Sequence, residues 1–441
     1  MSSPVPSLDP HALLVFLLQA ALLLLVALAL GRLATRFGLP ALVGELLTGV
    51  ILGPSLLGAL APGALSFVLP ADADQLHLLD AVGQLGVLLL VGVTGAQLDL
   101  AMLRRRGATG VRVSLAGLIV PLALGVGAGF LVPAALLTDT SERAVFALFL
   151  GVAMCVTAIP VIAKTLADMG LLHRDIGQLT LGAGMVDDAV GWFLLSIVSA
   201  AATTGVHGGT VSLSVVYLLG LVAAAILVGR PVVRWALRLA GRAKDGGPRV
   251  TVAVIVVLLG AAATHAMGME ALFGAFVAGI LIGQARADDE GAPRRLWQDL
   301  APLRTVVLSV LAPLFLATAG LRMDLTALAD PKVLVAAVAL LAIAIVGKFT
   351  GAYLGARASR LSHWEGIALG AGMNARGIVE VVVATAGLRL GVLSIATYTV
   401  VVLIAVVTSV MGPPILRRAM ARVELTEAEA ERELALAGRP A

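Results

Sequence analysis

Residues 38–53 read GLPALVGELLTGVILG, and residues 268–283 read GMEALFGAFVAGILIG. The four glycines of the first stretch, Gly38, Gly44, Gly49 and Gly53, stand opposite Gly268, Gly274, Gly279 and Gly283. A second match follows in the same order, where TGAQLDL at 94–100 faces AGLRMDL at 319–325, with Gly95 opposite Gly320 and Asp99 opposite Asp324. Two ordered matches at nearly the same spacing define an internal repeat rather than a shared apolar composition.

Outward from this repeat the chain keeps one texture. Of its 441 residues 59% are hydrophobic and 13% charged, against roughly 25% charged in an average soluble domain. Residues 13–30, LLVFLLQAALLLLVALAL, hold one polar side chain, Gln19, and about 20 apolar residues cross a bilayer core. Residues 1–12 lack the basic start of a cleaved signal peptide, so the first segment reads as a retained helix. Cys155 is the only cysteine, which leaves no internal disulfide, and no zinc-ligand spacing occurs. The excess of Lys and Arg lies between apolar segments without interleaved aromatics, so it reads as membrane topology and not as a nucleic-acid surface.

Thirteen apolar segments follow: about 12–31, 40–53, 78–97, 109–132, 143–168, 175–201, 211–237, 250–267, 270–284, 302–321, 332–357, 363–386 and 392–416. The expected fold is an all-α polytopic membrane protein. With the N-terminus outside, the inner loops collect Arg104, Arg105, Arg106, Arg242, Lys244, Arg417 and Arg418 among others, while the outer side keeps only Arg143, Arg322, Lys332 and Arg389. That bias places the C-terminus in the cytoplasm. Segments two and nine are repeat equivalents separated by an odd number of spans, so the halves enter the membrane in opposite directions. Repeat one covers about 12–201, a linker helix about 211–237 and repeat two about 250–416, together a transmembrane domain over 1–418 followed by a short tail at 419–441. Inverted repeats are the architecture of secondary transporters, whose sites lie at mid-membrane on discontinuous helices.

The polar residues inside the apolar segments mark such a site. Segment six, LTLGAGMVDDAVGWFLLSIV, carries Asp187 and Asp188 with no other charge within ten residues. A carboxylate at bilayer centre costs about 3 kcal/mol on insertion scales, so compensation is required. Neighbouring residues on a helix point about 100° apart, so one carboxylate pairs while the other stays available. Segment eleven supplies a partner, Lys348 in LLAIAIVGKFTGAYLG, and an Asp to Lys348 ion pair is expected. In segment five Pro160 breaks the helix near Thr157 and Ala158. The matching segment twelve, GAGMNARGIVEVV, is interrupted by Asn374, Arg376, Gly377 and Glu380. Two broken helices then cross, with Thr157 and Asn374 able to satisfy the freed backbone and line a cation path. Arg376 and Glu380, four apart, either neutralise each other or take a gating or substrate role. Glu45, opposite Ala275 in the repeat, lines the ion path or a subunit contact, and the sequence does not choose between them.

With these residues in hand, the chain resembles the monovalent cation:proton antiporters of the sodium/hydrogen exchanger superfamily, in their cation:proton antiporter-2 branch. The resemblance rests on PALVGELLTGVILGPSLLG at 40–58, CVTAIPVIAKTLADMGLL at 155–172, GAGMVDDAVGW at 182–192, LFLATAGLRMDL at 314–325 and GKFTGAYLGARASRLSHWEGIALGAGMNARGIVEVVVATAGL at 347–388. It implies that Asp188 carries ion and proton, that Asp187 pairs with Lys348, and that a six-helix core moves against a dimerisation domain in a homodimer. Na+ or K+ and H+ are then the partners, with membrane lipid around the chain, no cofactor and no metal beyond the transported cation. Two departures matter. About 25 residues follow segment thirteen, so the nucleotide-binding regulatory domain of some branch members is expected to be absent, and Gln97 stands where the family often has Glu. Alternatives are a proton-coupled exporter of an organic cation or ionophore-like metabolite and a channel-like K+ efflux protein. An intramembrane aspartyl protease needs its two Asp on separate helices, and here they are neighbours.

Overall fold

A computed structural model describes residues 9–63, 73–97, 107–138, 142–204, 223–242, 246–287, 293–427 and 429–430, with the single positions 216, 220 and 221. Every regular element among these residues is helical. In chain order they are α1 (Pro10–Arg36), α2 (Ala41–Leu52), α3 (Ala73–Ala96), α4 (Gly107–Leu131), α5 (Arg143–Cys155), α6 (Ile159–Asp168), α7 (Asp175–Thr204) and α8 (Arg230–Ala240). The second half holds α9 (Gly247–Ala266), α10 (Ala271–Ala287), α11 (Pro293–Val306), α12 (Ala312–Leu321), α13 (Pro331–Ala358), α14 (His363–Met373), α15 (Ile378–Arg389) and α16 (Ile395–Met420).

Nine helices among the described residues are long and apolar enough to cross a membrane, or ten when the pair α14 and α15, bent by 46°, counts as one span. The chain is therefore an integral membrane protein. α1 shows the reason most simply: Asp9 accepts the Ala12 N–H at 3.1 Å and Pro10 presets the first turn, while Leu14, Leu17, Leu18, Leu25 and Leu28 are exposed. A helix apolar nearly all round belongs in hydrocarbon. Three of the thirteen expected segments gain detail, two of them at the breaks expected at Pro160 and at Asn374, Arg376 and Gly377. Segments five and twelve are each two helices, because the chain leaves helical geometry at 156–158 and 374–377. Segment ten is one run from Pro293 to Leu321 with a π-helical turn at Val307–Leu311. The start of the linker helix, Asp99, Arg104–Arg106, Lys244 and the tail beyond 430 lie outside the described residues.

The described residues fall into two compact units, one within Met1–Leu90 and Ala301–Thr326, the other within Val91–Leu300 and Ala327–Ala441. In the first, α1 turns into α2 at Gly38, whose φ of 73° is left-handed, a conformation glycine adopts without penalty. Gly44 of α2 lies against α1 so closely that a Cβ there would stand 2.2 Å from the Leu30 carbonyl oxygen. α2 meets α12 in the same manner, and Asp80 and Arg322 form an ion pair. The second unit contains the same corner 230 residues on: Gly268 has φ 74°, and a Cβ on Gly274 would stand 2.0 Å from the Gly260 carbonyl oxygen. Small residues let backbones approach where no hydrophobic effect drives helices together.

α4 is central to the second unit. It packs on α13, where a Cβ at Gly351 would lie 2.4 Å from the Ala116 carbonyl oxygen, and on α5, where one at Gly129 would lie 2.5 Å from the Ala147 Cα. Beyond α16 the chain folds back on the corner before α7. Arg174 donates to the carbonyls of Val423 and Glu424, both at 2.9 Å, and pairs with Glu429 at 3.3 Å. Glu429 also accepts the Asp175 N–H at 2.6 Å, which caps the first turn of α7.

Candidate ion site

The two breaks meet. The chain stops being helical after Cys155 and resumes at Ile159, stops again after Met373 and resumes at Ile378, and the Ala158 N–H donates to the Ala375 carbonyl at 3.3 Å. A helix end leaves carbonyls or N–H groups without intrahelical partners and carries a partial charge, negative at the C-terminus. Here cations cover that end of α5. Lys348 Nζ donates to the Cys155 carbonyl at 2.6 Å, and Arg376 donates to the Met154 carbonyl at 2.7 Å and to that of Ala153 at 3.4 Å. Arg376 also reaches the Ala344 carbonyl of α13 at 3.0 Å, and its own carbonyl accepts the Ser409 hydroxyl of α16. Gly377 is extended at φ 173°.

α7 brings its paired aspartates to this crossing. Asp187 is fully partnered: Lys348 Nζ lies 2.5 Å from Oδ2, Thr157 donates to Oδ2 at 2.7 Å, and Ser114 of α4 donates to Oδ1 at 2.7 Å. Arg376 and Glu380 form a second pair at 3.0 Å. Asp187, Asp188, Lys348, Thr157, Asn374, Arg376 and Glu380 are all buried, none more than 1% exposed. Within this group Asp188 differs. Neither of its carboxylate oxygens has a hydrogen-bond partner, and the Asn374 amide is likewise unpartnered at both atoms. The paired charges, Lys348 with Asp187 and Arg376 with Glu380, cancel, so the carboxylate of Asp188 is the one left over in this cluster.

Of the residues singled out from sequence, Ala158, Asn374, Arg376, Gly377 and Glu380 line the crossing, with Pro160 in the first turn of α6. Thr157 serves Asp187 first, with the Met373 carbonyl at 3.5 Å, rather than only the freed backbone. Glu45 belongs to the first unit, where its side chain packs against Gly31 of α1. Two contributors escape the sequence reading. Ser114 is the only polar residue between Arg112 and Pro121, a weak signal because serine inside an apolar helix commonly bonds to its own backbone. The Cys155 carbonyl has no sequence signature of its own, although the break that frees it does.

The chain matches the family described as "Sodium/hydrogen exchanger, transmembrane" over residues 21–422. It belongs to the sodium/hydrogen exchanger family. This is a family of transporters and not of enzymes. The sequence is 32% identical over 416 residues to the Na(+)/H(+) antiporter NhaS4 of Synechocystis sp., covering 92% of this chain and 98% of that one. It is 31% identical over 435 residues to Cation/H(+) antiporter 18 of Arabidopsis thaliana, covering 96% of this chain and 52% of the plant protein. K(+)/H(+) antiporter 1 of Saccharomyces cerevisiae is 29% identical over 420 residues, with 91% and 46% covered. The chain thus spans nearly all of the cyanobacterial relative and about half of the plant and yeast ones. The fold is similar to that of the sodium proton antiporter MjNhaP1 from Methanocaldococcus jannaschii at pH 8, with TM-score 0.66, 15% identity, and 96% and 99% of the two chains covered.

Proposed function

We propose that this member of the family exchanges a monovalent cation, Na+ or K+, for protons by alternating access, with Asp188 as the group that carries both in turn. The observation that carries this reading is the state of Asp188: fully buried, beside two neutralised pairs, with neither oxygen partnered. A lone carboxylate is not tolerated in a low-dielectric interior without compensation. A proton and a desolvated monovalent cation both supply it, and only one at a time, which is the logic of exchange. Asn374 and the carbonyls freed at the crossing are oxygen ligands of the kind such a cation takes. Asp187 is the fixed anion of the site, held by Lys348, Thr157 and Ser114.

The chain works with its N-terminus outside and C-terminus in the cytoplasm of a bacterial inner membrane, as a homodimer, with two inverted halves. The recurrence of the Gly38 corner at Gly268 supports the repeat. If the Lys348 ammonium gives up a proton when Asp187 is engaged by the cation, two protons move per cation and transport is electrogenic. Everted vesicles with an imposed pH gradient test the function: added Na+ or K+ collapses the gradient in vesicles containing the chain. A gradient that no monovalent cation dissipates overturns it.

A further inference from the structure

We infer that α7 carries, beyond Asp188, a buried water-binding row of Trp192, Ser196 and Ser199 that supplies Asp188 with protons and the cation from the C-terminal end of the helix. The inference rests on Asp188 being the carrier and extends it along the helix. At 3.6 residues per turn, positions 192, 196 and 199 fall within about 80° of position 188, and the row climbs about 16 Å along the helix axis. Trp192 is 1% exposed, Ser196 0% and Ser199 4%. The Trp192 Nε1, the Ser196 Oγ and the Ser199 Oγ all lack a hydrogen-bond partner.

The two serines depart from the habit of this chain. Several buried threonines return their hydroxyls to a carbonyl one turn back, Thr180, on α7 itself, to Ile176 at 2.7 Å, Thr385 to Val381 at 2.8 Å and Thr408 to Ile404 at 2.8 Å, while Thr157 and Thr397 reach Asp187 and the Leu136 carbonyl. Ser196 and Ser199 have the same option and do not use it. Buried polar atoms in native proteins have a partner, and where the protein offers none that partner is water or an ion. A neighbouring face of α7 borders open space. A cavity of about 400 Å³ is lined by Ala189, Val190 and Phe193 of α7 and by Phe273, Phe276 and Val277 of α10. Phe276, which lines that cavity, meets the Trp192 ring at 6.3 Å between centroids.

An indole donor and two hydroxyls spaced about a turn apart hold a short file of waters against an otherwise apolar wall. A proton entering at Ser199 passes along that file by exchange of O–H bonds and ends on Asp188, each water giving one proton and receiving one. A cation entering the same way sheds water as the hydroxyl oxygens replace it.

The test uses the full chain in proteoliposomes, with Ser196→Cys or Ser199→Cys placed in a Cys155→Ala background, and that background alone as the blank. The probe is trimethylammonioethyl methanethiosulfonate, a membrane-impermeant cation, added to one face during exchange. Both thiols are expected to react only from the face where α7 ends, about tenfold more slowly under saturating Na+ or K+. The double variant Ser196→Ala, Ser199→Ala should slow exchange about tenfold, as the loss of hydrogen bonds to a hydrated ion implies, with its thermal unfolding midpoint unchanged. Silent thiols on both faces in variants that exchange at the wild-type rate overturn the row, as does equal labelling from both faces. Reactive, cation-protected thiols in a chain that moves no protons leave the row standing and overturn the antiport reading.

Discussion

The chemistry of the site comes down to which carboxylates are paired. Asp187 has three donors and Asp188 has none among the described residues, although the two are neighbours on one helix. Breaking a buried pair from one side leaves an uncompensated charge and costs about 3–5 kcal/mol, so Lys348→Gln should lower the unfolding midpoint in detergent markedly. Adding Asp187→Asn to it should restore part of the loss, and a double variant as unstable as the single one would contradict the pairing account. Ser114→Ala removes one hydrogen bond to a carboxylate and should cost about 1.5–3 kcal/mol while leaving exchange detectable. The paired aspartates and Lys348 were legible because a charge in an apolar run has no other comfortable explanation. Ser114 was not, since a lone serine in a membrane helix is ordinary and its partner lies 73 residues away.

Among the elements, the broken helices matter most, and their two halves were unequally legible. Pro160 announces the break before α6 through its missing N–H. The break after α14 has no proline and is carried by Asn374, Arg376 and Gly377, polar or small residues whose meaning comes from the apolar run around them. What the sequence left open, neutralisation or gating, takes the form of a buried pair in which Arg376 also caps the end of α5. Arg376→Ala should therefore destabilise the α5 end as well as free Glu380, and amide hydrogen exchange in 150–158 should rise. Unchanged protection there would contradict the capping role.

The strap that follows α16 makes a separate claim on pH. Burial tends to raise the Glu429 carboxyl, but the N–H groups of Thr426 and Asp175 and the Arg174 guanidinium outweigh it and hold the group below its ordinary value of 4.5. A carboxyl depressed in the folded state stabilises above its unfolded value and loses that contribution as pH falls through the folded one. Glu429→Gln should thus cost about 1–3 kcal/mol at neutral pH, and the difference from wild type should vanish under acid. A difference that grows as pH falls would reverse the sign and refute the account.

For the whole molecule, the polytopic class followed from composition, and the recurrence of Gly38 and Gly44 at Gly268 and Gly274 followed from glycine spacing, because Gly38 and Gly268 take a left-handed φ and Gly44 and Gly274 sit where close backbone approach admits only a hydrogen. Boundaries were less legible: the helical run of segment ten begins at Pro293, ahead of the apolar stretch that starts near 302, because its first turns are polar and leave no hydrophobic signal. At this scale the two-proton scheme also becomes measurable. A Na+ or K+ jump on a supported membrane should give a transient current, and exchange without charge movement would refute that stoichiometry. The central claim is that Asp188 alternates between proton and cation, and it is tested most directly by adding Na+ or K+ to the purified, detergent-solubilised protein in weak buffer and recording proton release. Wild type should release protons as cation binds and Asp188→Asn, folded by its unfolding midpoint, should release none. Release of equal size from the folded variant would contradict the account.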